Sequence, residues 1–64
     1  MLTILENDEI RVEIKTSGLN HKSICTNKKT GKVVYRRELK DVPLIRIITV
    51  FQENGYKVIK TKFI

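Results

Sequence analysis

One cysteine, one histidine, one proline, no tryptophan and no alanine make a short supply for a chain of 64 residues. Each shortage removes a class of explanation. Cys25 alone cannot close an internal disulfide, and with His21 as its sole imidazole companion it cannot complete a Cys/His zinc set. A catalytic pair of Cys25 and His21 fails on distance, because positions four apart on a strand lie about 13 Å apart on one face. Cys25 reads instead as a small buried hydrophobe and His21 as an exposed, partly basic surface residue. The acidic group Glu6, Asp8 and Glu9 lacks the ligand spacing and glycine of a calcium loop. Thr30-Gly31-Lys32 has Thr26 and Val33 where a phosphate loop needs glycine and a hydroxyl residue. Gly18, Gly31 and Gly55 are too scattered for a dinucleotide fingerprint. The expectation is a protein that is not an enzyme, with no catalytic residue, cofactor, metal or small-molecule substrate.

Long apolar runs are also missing. Nothing approaches the roughly 20 residues that cross a bilayer, and Glu6 arrives too early for a signal sequence. A cytoplasmic protein with no membrane contact is expected. Residues 1–64 read as one small basic domain, with no repeat and no linker. A domain this small buries only about 60% of its unfolded surface, so a partner or a homodimer would supplement its core.

Charge is plentiful and uneven. The net charge is +6, with 13 basic residues against 7 acidic ones. Residues 1–14 carry a net −3, residues 15–40 a net +7 and residues 41–64 a net +2. A positive centre of this kind favours polyanions.

Several boundaries are legible. Leu2, Ile4 and Leu5 suggest a short first strand, followed by a polar turn at Glu6-Asn7-Asp8-Glu9. Residues 9–15 alternate without a fault and place Ile10, Val12 and Ile14 on one face. Ser17-Gly18-Leu19-Asn20 has turn composition, and a third strand from His21 to Asn27 carries Ile24 and Cys25. Asn27 to Lys32 then fits a hairpin loop with Gly31 at positive φ, and Val33-Val34-Tyr35 begins the return.

The second half admits two readings. In one, Asp41 caps a helix over about 42–54, Pro43 occupies its first turn, and Gly55 stops it. Leu44, Ile47, Ile48 and Phe51 then form a stripe at i, i+3, i+4 and i+7. In the other, residues 44–52 are a strand and Asn54-Gly55 is a tight turn, giving a small all-β barrel or sandwich. The hairpin puts apolar residues on both faces, whereas the helix leaves a cleaner exterior. The helix is therefore preferred, despite the cost of five β-branched residues between 45 and 50. The resulting fold is α+β: an antiparallel sheet of about four strands, one helix packed on it, and a C-terminal strand over 56–63. Its expected core is Ile4, Ile10, Val12, Ile14, Ile24, Leu44, Ile47, Ile48, Phe51, Ile59 and Phe63.

The functional reading rests on surface. Lys28, Lys29 and Lys32 crowd the hairpin loop, Arg36 and Arg37 follow it, and Lys22 lies on the paired strand. Together they suggest a positive finger that grips phosphates of DNA or RNA, with Tyr35 as an additional contact. So few aromatics argue against a stacking platform for single strands. The alternative is a small regulator or inhibitor, of the kind mobile elements or phages encode, that docks on an acidic partner protein.

Overall fold

A computed structural model describes residues 1–63 of the chain. Its strands are β1 (Leu2–Glu6), β2 (Ile10–Ser17), β3 (Asn20–Asn27), β4 (Val33–Leu39) and β5 (Lys57–Lys62), and one helix, α1 (Leu44–Glu53), lies between β4 and β5. The strands form one antiparallel sheet in the order β4-β3-β2-β1-β5. The first four make a meander through short turns, and β5 returns from the helix to pair with β1.

Local chemistry sets these boundaries. Asn7 Oδ1 accepts the Glu9 and Ile10 amides at 2.9 and 2.7 Å, closing the polar turn between β1 and β2. Between β2 and β3, Gly18 takes φ +61°, a conformation a β-carbon would penalise. Asn27 Oδ1 accepts the Lys29 and Thr30 amides at 2.9 and 3.1 Å and so folds the β3–β4 loop back on itself.

The helix reading of residues 44–53 holds, and the reason is visible at its end. Tyr56 N–H donates to the Phe51 carbonyl at 3.0 Å and Gly55 N–H to the Gln52 carbonyl at 3.1 Å. Gly55 supplies the left-handed φ of +87° that this double closure requires. The Phe51 and Tyr56 rings meet edge to face at 5.1 Å across the same cap. Asn54 has φ −97°, whereas a two-residue hairpin turn there would need both Asn54 and Gly55 at positive φ.

The start of the helix differs from expectation. Pro43, not Asp41, is the cap residue, and no side chain caps the helix. Pro43 lies extended at ψ 137° and its carbonyl accepts the Arg46 amide at 3.1 Å. Asp41 sits two residues earlier at φ +57°, turning the chain out of β4.

Register divides the sheet into two faces. Thr3, Leu5, Val12, Ile14, His21, Ser23 and Cys25 fall on the inner face, toward α1. Leu5, Val12 and Ile14 are fully buried there and join Ile47 of the helix, with Leu44, Ile48 and Phe51 packed around them. The predicted stripe is thus the buried side of α1.

Four expectations about the core need correcting. Leu5, absent from the expected core, is its centre, while Ile4 is buried on the opposite, open face. Flanking Lys60 and Glu13 explain how, because long side chains cover apolar neighbours with their stems. Ile59 and Phe63 are exposed, Phe63 at 83%, because β5 is an edge strand and a bulge makes Ile59 an extra residue. Ile24 is only half-buried, for it too lies on the open face.

His21 corrects the fourth. It is buried at 2% exposure. Its Nε2–H donates to the Val42 carbonyl at 2.6 Å, which leaves Nδ1 to accept from the Thr16 hydroxyl at 2.9 Å. A fully satisfied ring therefore ties the β4–α1 connection to the sheet, and the Val42 amide adds a bond to the Leu19 carbonyl at 3.2 Å.

Candidate nucleic-acid interface

The open face of the sheet, away from α1, carries most of the strand-borne positive charge. Antiparallel register stacks its residues in rows across the strands. One row runs Lys62, Leu2, Lys15, Lys22 and Glu38; the next runs Lys60, Ile4, Glu13, Ile24 and Arg36; the third runs Lys57, Glu6, Arg11, Thr26 and Val33. Seven cations stand against three carboxylates, with Leu2, Ile4 and Ile24 as an apolar floor between them. Neighbours in a row are about 5 Å apart and successive rows about 7 Å apart, so a lysine side chain reaches the adjoining positions of its own and the next row.

The six basic residues singled out in sequence do not form one finger. Lys22 and Arg36 lie on the open face, on adjacent strands. Arg37 and Tyr35 alternate to the inner face, opposite Ser23 and Cys25. Lys28, Lys29 and Lys32 lie in the loop, but Lys28 is turned back: its Nζ stands 3.6 Å from Glu6 Oε1 and donates to the Asn7 carbonyl at 3.2 Å. The Lys28 amide also donates to the Glu9 carbonyl at 2.9 Å. The acidic β1–β2 turn therefore packs beside the basic loop and offsets part of its charge.

Sequence reasoning passed over Lys15, Lys57, Lys60 and Lys62. For Lys15 the signal was present, since it ends the faultless alternation of β2 on its charged side. The lysines of β5 needed the knowledge that β5 pairs with β1, which local patterns do not carry. Among the described residues the ion pairs are Arg11–Glu13 at 3.4 Å and Lys28–Glu6 at 3.6 Å. Neither includes Lys15, Lys22, Arg36, Lys60 or Lys62.

Cys25 is half-buried on the inner face, and desolvation pushes its thiol above the usual range. Among the described residues no group of three His, Cys, Asp or Glu could hold a metal ion, and no helix is long and apolar enough to cross a membrane. Comparison with protein-family models, curated proteins and solved structures finds no match for the chain.

Proposed function

We propose that the protein is a non-enzymatic nucleic-acid-binding module, acting in the cytoplasm, that holds the phosphates of a duplex on the open face of its sheet. The observation that carries this reading is the set of cross-strand rows: Lys15, Lys22, Arg36, Lys60 and Lys62 project from the one face of the sheet that the helix leaves clear. Lysine and arginine on such a surface neutralise phosphates and release counterions, which gives affinity without sequence preference. Base stacking plays no part, because Tyr35, the aromatic of the basic segment, faces the other way. The exposed Lys29 and Lys32 extend the positive surface at the end of the β3–β4 hairpin.

Fluorescence anisotropy with labelled duplex DNA, single-stranded DNA and RNA tests this reading over about 50 to 300 mM salt. The expected result is binding whose log affinity falls linearly with log salt, strongest for a duplex. Lys22→Glu with Arg36→Glu should flatten the slope for duplex DNA by about two, since each phosphate contact contributes about 0.9. Lys28→Glu, which removes a cation already engaged by Glu6, should change it less. Absence of binding at the lowest salt would refute the reading.

A further inference from the structure

The inner face of the sheet is only partly roofed. Five strands at about 4.8 Å spacing span about 20 Å, whereas one helix covers about 10 Å. Ile47 of α1 packs with Leu5, Val12 and Ile14 of β1 and β2. His21 and Ser23 of β3 are buried, but Tyr35 of β4 is left exposed beside the helix, and a groove of about 590 Å³ runs between α1 and these outer strands.

One wall of this groove is Cys25, Tyr35 and Leu39 of the sheet, and the other is Val50 and Phe51 of the helix, with Tyr56 at its end. Tyr35 and Val50 are more than half exposed. Arg37 stands on the sheet side and Arg46 on the helix side, and among the described residues no carboxylate lines the groove. The surface is an apolar trough with a guanidinium on each side. It is separate from the lysine rows, which lie on the opposite face of the sheet.

We infer that this groove docks an acidic amphipathic helix of a partner protein, laid beside α1 to complete the helical layer. The uncovered width matches one helix diameter. Its apolar stripe would cover Cys25, Tyr35 and Val50, and carboxylates along its flanks would meet Arg37 and Arg46 in charge-assisted hydrogen bonds. Charge selects this occupant over a second copy of the chain, which would bring a further net +6 against two arginines.

The test uses a synthetic amphipathic peptide of about 18 residues, with Leu and Ile at helical spacing and Glu on both flanks, and a matched peptide with Lys for Glu. Amide chemical shifts of the labelled protein report the site. The acidic peptide is expected to bind and to shift Cys25, Tyr35, Arg37 and Val50, leaving Lys15 and Lys22 unmoved. Arg37→Glu with Arg46→Glu should weaken it about tenfold at an unchanged melting temperature. Should that double variant fail to fold, Val50→Glu, at an exposed helix position, should weaken the peptide in the same direction. Equal binding of the Lys peptide, no binding of the acidic one, or shifts confined to the open face would overturn the proposal. Groove shifts that instead track dilution of the protein alone, or addition of duplex DNA, would also overturn it, assigning the trough to a second copy or to nucleic acid.

Discussion

Two halves of the inner sheet face follow the same alternation and end in different states. Under α1, Leu5, Val12 and Ile14 are at 0% exposure, while Tyr35, on the same face two strands further out, stands at 56%. Strand propensity does not separate them, for Val33, Val34 and Tyr35 are as β-prone as Ile10, Val12 and Ile14. Coverage does. A single ten-residue helix covers only part of one face of a five-stranded sheet. Burial is therefore concentrated on β1, β2 and α1, while Tyr35 on the outer strand stays open to solvent.

Truncation gives the largest contrast. Ile14→Ala should cost about 3 kcal/mol in urea unfolding, a large part of the stability of so small a domain, whereas Tyr35→Ala should cost less than about 0.5 kcal/mol. Similar losses in the two variants would erase the distinction between the halves.

A smaller effect, of opposite sign, comes from Thr3. It is fully buried between Ile14 and Thr61 in register, and its hydroxyl has no hydrogen-bond partner. Thr3→Val keeps the shape and removes the orphaned group, so stability should rise by about 1 kcal/mol in the same assay. A loss would mean that the hydroxyl finds a partner inside the covered half.

Cys25, at the border between the halves, gives the finest measure. Burial raises its thiol pKa, so the thiolate is scarce at neutral pH. Alkylation by iodoacetamide should be slower than for a cysteine in a free peptide, and its rate should keep climbing beyond the pH at which the peptide's levels off. The corresponding contribution to stability is complete at low pH, because the folded state holds the proton more tightly than the unfolded chain, and it fades as pH rises through the raised value. A rate that levels off with the free peptide would place the thiol in open solvent.

How much of this was legible in the sequence depended on whether the signal was local. The alternation of residues 9–15 and the stripe from Leu44 to Phe51 each name a face without outside help. Gly55 announced a positive φ that fits both a helix end and an Asn54-Gly55 turn, and the stripe before it tipped the choice to the helix. By contrast, Leu2, Ile4 and Leu5 offer two alternations, and only pairing with β2 on one side and β5 on the other decides that Leu5 points inward. His21 was misjudged because a polar ring looks exposed until a distant carbonyl, that of Val42, is available to satisfy it. The cations at the hairpin were legible as a group, and alternation alone sends Arg36 and Arg37 to opposite faces, but the contact of the acidic turn with Lys28 depends on how the two loops pack. The rows of the open face depend on β5 lying next to β1, a pairing between segments far apart in the chain.

That pairing also fixes an order of events during synthesis. β1 to β4 are joined by neighbouring hairpins, whereas the second edge of β1 is covered only by β5, which follows α1 in the chain. Joining β5 to β1 encloses almost the whole chain in one loop, the slowest kind of contact to form. Until it forms, the backbone groups of Leu2–Glu6 are open to strands of other nascent chains, an opportunity for mispairing that ends when β5 arrives. The finished sheet then presents Lys57, Lys60 and Lys62 along its new margin, charged side chains of the kind that discourage edge-to-edge pairing. β5 thus seals the outer edge of β1 and leaves a lysine-bearing edge in its place.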